Sequence, residues 1–438
     1  MKKYLQILRS EQVHFLRAPY KIVSFVLFLI AIIYGAQNGH DLFKKHQNEI
    51  ASIRSKNEEL VKQSIIKYEA IENGEENNGR RDPTDPYWAV WSTPSFAFKH
   101  PSPMMVFSLG QSEQYGYYKR VTNWSTTFDG DLAAEIANPE RLAVGTLDFN
   151  FVLLYLTPIL MIILLFNVGG YEKDLKFDNL IYLGDIRKYQ WLALRFLFYF
   201  ILIFASVFLC MVFYAFIAGV LQHEGQNFLS LILTIVLYIL LWFIILYLIA
   251  NWSNGSSDSS IKMISFWLTL CILIPGAVHQ LASLKYPTNY MTDFLDVDRE
   301  QTDAIFELSP DTMKLRMLEA YPFLEETMFA TDTLMDENII NRGVSGLVND
   351  LNVKVAKSVE KLNEQKNVFI QGFNMLNPVI YFQNKINFLT GTDYYAYASY
   401  REHIQSIINK KIKIILKDTW NRVIVDKEIY KGYVKNFD

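Results

Sequence analysis

The feature that most limits this chain is the recurrence of apolar runs of one length. A helix rises about 1.5 Å per residue, so roughly 20 apolar residues cross a hydrocarbon layer of about 30 Å. Five blocks approach that length: residues 22–37, 149–168, about 191–220, 228–250 and 263–284. Within lipid a single segment must satisfy its own backbone groups, which a helix does. The chain therefore reads as a mainly α-helical integral membrane protein with five transmembrane helices, helix 1 at 22–37, helix 2 at 149–168 and helices 3–5 within 191–284. The composition agrees, with 51% apolar and 15% aromatic residues.

Charge gives these spans a direction. Lys2, Lys3, Arg9, Arg17 and Lys21 precede the first block, which places the amino terminus in the cytoplasm. The stretch "YLQILRSEQVHFLRAP" is amphipathic and stops at Pro19, so residues 1–21 read as a cytoplasmic interfacial helix. A cleaved signal peptide is the other reading of a basic lead before a short apolar run; the long basic region and the lack of a small-residue cleavage site favour a retained helix. Alternation then puts 38–148 outside, 169–190 inside and 285–438 outside. The loop "LQHEGQN", assigned outside, carries no Lys or Arg. Two ionic or backbone irregularities within the spans have simple readings. Pro158 is tolerated because neighbouring helices satisfy the freed backbone group. Arg195 lies in the first turns of the third span, where its stem can carry the charge back to the interface.

The two extracytoplasmic regions both read as largely helical. Phe43, Ile50, Ile53, Leu60 and Ile65 form one stripe, and Val344, Leu347, Leu351, Val355, Val359 and Leu362 another. Half-buried helices need partners, so the stripes pack either on each other or each within its own domain.

Several functions lack their signatures. There is no GxxxxGK[ST] phosphate loop, HExxH, GxSxG or CxxC pair, so no catalytic residue, metal site or cofactor is assigned to this chain. Cys210 and Cys271 both fall in apolar blocks, where they act as small hydrophobes. A net charge of −3 argues against a nucleic-acid partner. The spans hold no ionisable residue near their middles, unlike an ion-coupled carrier, so any energy must come from another subunit.

Between the second and third blocks lies a polar island, "FNVGGYEKDLKFDNLIYLGDIRKYQWLAL", with four acids and four bases. Leu175, Leu180, Ile181 and Leu183 supply apolar anchors, while Glu172, Asp174, Asp178, Asp185, Arg187 and Lys188 supply a charged rim that could fix register on a partner. An ordinary solvated loop is the plainer reading.

Three stretches carry a family resemblance. "HPSPMMVFSLGQSEQYGYYKRVTNWS" (100–125), "NPERLAVGTLDFNFVLLYLTPILMIILLFNVGGYEKD" (138–174) and "NPVIYFQNKINFLTGTDYYAY" (377–397) resemble permease subunits of bacterial ATP-binding-cassette exporters, and within them the class-2 branch with large extracytoplasmic insertions. The resemblance implies that Tyr171, Glu172, Lys173 and Asp174, with the helix after them, form a coupling element (169–190) that docks on a separate ATPase subunit. ATP and Mg would be bound by that partner. It further implies a second permease subunit, either another copy or a related chain, membrane lipid around both, and the bacterial cytoplasmic (inner) membrane as location. Two departures stand out. Lys176-Phe177 occupies the place of the family's Gly-Thr, and the sixth span that the family implies is not visible by residue 438. Either the fold has five spans with an outer carboxyl terminus, or the last span lies beyond. The competing function is a non-transporting scaffold or sensor that displays two helical ectodomains. Ectodomain composition favours no particular substrate.

Overall fold

The computed structural model describes residues 2–74, 81–128, 147–176, 187–287, 297–332 and 336–437. Helix α1 (Lys2–Arg17) is followed at once by α2 (Pro19–Glu72), whose leading proline suits a first turn that has no use for its N–H. Helix α3 (Pro86–Ser92) and an antiparallel hairpin of β1 (Phe96–Phe98) and β2 (Tyr118–Arg120) come next, with Ala97 opposite Lys119. Then follow α4 (Phe149–Asp174), α5 (Lys188–Ile217), α6 (Gly225–Trp252) and α7 (Ser256–Lys285). With α2, these are the five described helices long and apolar enough to cross a membrane.

These five helices bury one continuous core, from Phe28 and Ile32 of α2 through Leu153 and Leu165 of α4 to Tyr199 of α5 and Trp242 of α6. Their outer flanks remain apolar: Phe216 is 78% exposed and Leu229 68%. Such a belt has no place facing water and fits lipid. Pro158 removes a helix hydrogen bond and crowds the carbonyl four residues earlier, that of Leu154. The chain answers with a π-turn over Val152–Leu156, and the Tyr238 hydroxyl of α6 donates to the Leu154 carbonyl. Pro275 is likewise preceded by a π-turn, Thr269–Leu273.

Helix α2 differs from the expectation of a span followed by a separate ectodomain helix. The apolar and charged halves join without a break, because composition changes near residue 40 while nothing interrupts the helical backbone. Gly35 and Gly39 lie where a Cβ would stand 2.7 Å from Phe149 N and 2.5 Å from the Val106 carbonyl, so only glycine lets the following segments approach.

Beyond the bundle stands one lobe. Helices α8 (Val297–Phe306), α9 (Pro310–Ala320), α10 (Glu337–Gln371), α11 (Pro378–Thr390), α12 (Tyr394–Trp420) and α13 (Lys427–Phe437) supply most of it. Two sequence regions expected to form separate domains share its core: Ala97 and Val121 of the hairpin lie in one cluster with Val344, Leu347, Ile404 and Ile408. Arg342 of α10 pairs with Asp85 at 3.0 Å, and Asn123 donates to Ser345. The two stripes do not meet. That of α10 packs against α8, α9 and α12, whereas Ile65 and Tyr68 of α2 join Ala89, Val90, Tyr430 and Phe437 in a second cluster. Leu60, in the outer part of the α2 stripe, is 49% exposed. Helix α11 turns back from the lobe into the bundle, where Val379, Phe382, Ile386 and Leu389 enter its core and Phe382 meets Tyr238 at 5.1 Å.

Candidate functional site

The end of α4 lies against α1 and the start of α5, and a cluster of buried charge joins the three. Helix α1 turns Ile7, Glu11 and Phe15 inward, spaced four residues apart on one face, so Glu11 interrupts an apolar stripe. The reason is Arg195. Its Nε donates to Glu11 and its Nη1 to Glu172 Oε1 at 2.6 Å, while the Trp191 ring covers the guanidinium at 4.5 Å. Tyr199, one turn further along α5, donates to Glu11 Oε1 at 2.8 Å and accepts from Lys21 Nζ at 2.8 Å. Two cations and two carboxylates thus neutralise one another inside the protein, and each lone group would be costly without the others.

This geometry corrects two expectations. Arg195 does not carry its charge back to the surface; it is 7% exposed and holds two acids. Nor is Glu172 part of an exposed rim, being 8% exposed, with Oε2 buried and unpartnered among the described residues. A long guanidinium stem can reach inward as readily as outward when two carboxylates meet it.

The neighbouring charges are also engaged within the chain. Lys173 donates to the Ser253 carbonyl, and the Asp174 carboxylate accepts from Ser256 N at 3.2 Å, both in the turn between α6 and α7. Gly170 permits this, since a Cβ there would lie 2.7 Å from Ser256 N. Of the anticipated docking residues, Tyr171 (53% exposed) and Leu175 (50%) face outward. Arg187 stands exposed just before α5, its side chain making no cap bond to the first turn, and donates to the Tyr189 hydroxyl. Leu180, Ile181, Leu183 and Asp185, with Asp178, lie outside the described residues. Glu11, Lys21 and Tyr199 were not anticipated. The visible signal was a single acid between Ile7 and Phe15 on an otherwise apolar helix face.

A second junction forms at the other end of α4. Described residues from each of the three sequence stretches quoted above for their family resemblance meet there. Ser108 donates to Asn387 Oδ1 at 2.6 Å, Asn150 donates to the same oxygen at 3.2 Å, and Leu109 N donates to Asp148 Oδ2 at 3.0 Å. Gly110, at φ 46°, passes so close to Thr392 that a Cβ would lie 2.5 Å from its carbonyl. Burial pushes the Asp148 carboxyl above its usual range, against the backbone hydrogen bonds that favour its charge. These small and amide-bearing residues act as a clasp between α4, α11 and the loop before β2. The sequence displayed them as separate motifs, with no indication that they touch.

No cluster of three metal-ligating side chains occurs among the described residues. Compared with family models, curated proteins and solved structures, the chain matches none. The chemistry on view is mechanical: one ion cluster fixes α1, α4 and α5 to each other, and one polar clasp fixes α4 to α11 and the lobe.

Proposed function

We propose that this chain is the membrane-spanning permease subunit of an ABC-type exporter in a bacterial cytoplasmic membrane. A separate ATPase subunit binds ATP and Mg and docks on the face that carries α1 and the end of α4. That face is cytoplasmic, the lobe is extracytoplasmic, and a second permease subunit completes the path. The observation that carries the reading is the Glu11–Arg195–Glu172 cluster, which ties the anticipated coupling segment to α1 and α5 while Tyr171 and Leu175 stay outside it. A segment held in this way moves as one body with two long helices, so a push at its exposed side is transmitted along the bundle rather than absorbed by a loop. The basic residues of α1 and the sequence resemblance of 100–125, 138–174 and 377–397 support the same assignment.

Affinity purification from native membranes tests it. The expected co-purifying protein is an ATPase with a phosphate-binding loop, and the complex should hydrolyse ATP. Isolation of the chain with no such subunit, under conditions that keep the membrane complexes of the same cell intact, favours the scaffold reading.

A further inference from the structure

Beside the clasp, the last turns of α10, the turn into α11, the outward side of α11 and the start of α12 enclose a cavity of about 390 Å³, bounded on one side by His279 of α7. That volume falls within the range of about 300–1,000 Å³ usual for small-molecule sites. Its wall has an uncommon composition. Six carboxamides line it: Gln111, Asn367, Gln371, Asn374, Asn384 and Asn387. Lys385 and Asp393 contribute one cation and one anion, which leaves the site without a dominant charge.

The wall itself points to what the cavity takes. Each carboxamide carries both N–H donors and a carbonyl acceptor, so a wall built from six of them matches a guest whose groups both donate and accept, as hydroxyls do. An anion would use only the donors, and a purely apolar guest would use neither. The rest of the lining narrows the class. Tyr381 and Tyr395, each 45% exposed, and Phe388, 60% exposed, offer ring faces at the rim beside the amides. Flat apolar rings next to dense donors and acceptors match a sugar, which has C–H faces on its ring and hydroxyls around its edge.

We propose that this cavity is a binding site for a short, uncharged saccharide. The site stands apart from the transport reading, because binding is measured on the chain alone, with no ATPase present.

The test uses the full chain in nanodiscs, which avoids detergents that carry sugar heads. Saturation-transfer NMR with chitotetraose and maltotetraose is expected to show binding of at least one, with transfer strongest to ring C–H protons. Tyr395→Ala and Asn374→Leu should each weaken it by about tenfold or more, the loss of a single well-placed contact, whereas Tyr395→Phe should retain it. Thermal melting of each variant reports the fold, and Gln371→Leu replaces Asn374→Leu if the latter unfolds. Absence of transfer to either sugar overturns the proposal. So does wild-type binding by the folded variants, or displacement of the sugar by tetraglycine, which would make the cavity a peptide site.

Discussion

The α1 face and the distal lobe both bury cations; the lobe pairs Arg401 with Glu360 at 3.6 Å, much as the α1 face pairs its own, but it holds its buried lysines in the opposite way. At the α1 face Arg195 and Lys21 lie with two carboxylates, so the charges cancel within the cluster. In the lobe, Lys411 is fully buried and donates to the carbonyls of Val90 and Thr93, at 3.2 and 3.1 Å, under the Phe437 ring. Lys99 likewise donates to the Gly391 carbonyl, at 2.9 Å. Burial, with Arg120 nearby, pushes the Lys411 amine down to about 7, and burial pushes Lys99 down to about 8 against the pull of Asp393. The difference teaches where each region is brittle. Removing one member of a charge-balanced cluster strands its partners, whereas removing a lysine held by carbonyls strands no charge.

The largest effect is therefore expected at Arg195. Arg195→Met leaves Glu11 and Glu172 buried with Lys21 as their one remaining cation in the cluster, reached only through the Tyr199 hydroxyl, and should cost about 3–5 kcal/mol. Thermal unfolding of the purified protein and proteolysis of α1 both report it. The fourfold change Glu11→Gln, Lys21→Met, Arg195→Met, Glu172→Gln should recover most of that loss, because neutral groups of similar shape can replace a buried ion set at little cost. A fourfold variant as unstable as the single one would break the comparison. Lys411→Met should cost less, about 1–3 kcal/mol, from two carbonyls that lose a donor.

The lobe should also respond to pH in a direction set by its lysines. A lysine whose folded value is depressed binds fewer protons folded than unfolded between that value and its ordinary 10.5. Stability then rises with pH across the interval, from about 7 for Lys411 and about 8 for Lys99, and the penalty is fully present below it. Melting of the lobe, followed by tryptophan fluorescence, should move upward through this window. Lys411→Met should reduce the slope and leave the share due to Lys99; an unchanged slope would show that Lys411 stays charged.

How far the sequence reveals this arrangement depends on the distance over which partners act. The five long apolar helices were legible because each is a local run, and Pro158 is tolerated because an adjacent polar group, the Tyr238 hydroxyl, serves its freed carbonyl. The continuity of α2 was hidden by a change of composition that mimics a boundary. Glu172 and Asp174 read as part of a solvent-facing rim because their partners, Arg195 and Ser256, are distant in sequence. The same holds for Ser108, Asp148 and Asn387, whose meeting joins residues far apart in the chain. The helical stripes were legible as stripes but not in their pairing, since periodicity records a face and not what covers it.

The smallest expected effect concerns those stripes. Ile53 of α2 and Leu351 of α10 belong to different packing environments, so the destabilisation by Ile53→Asp and by Leu351→Asp should add to within about 0.5 kcal/mol in the double variant. A larger coupling would mean that the two helices share a core after all.

The proposed transport role turns on the exposed side of residues 171–175. The most direct measurement is the affinity of the proposed ATPase partner, once co-purified, for this chain after Tyr171→Asp and Leu175→Asp. Both side chains face outward, so the fold and its melting temperature should be preserved while binding weakens by about tenfold or more, as expected when a charge enters the apolar part of an interface. Lys354→Glu, on the lobe, should leave binding unchanged. Wild-type affinity in a folded Tyr171→Asp, Leu175→Asp variant would contradict the account and reduce the segment to an internal brace.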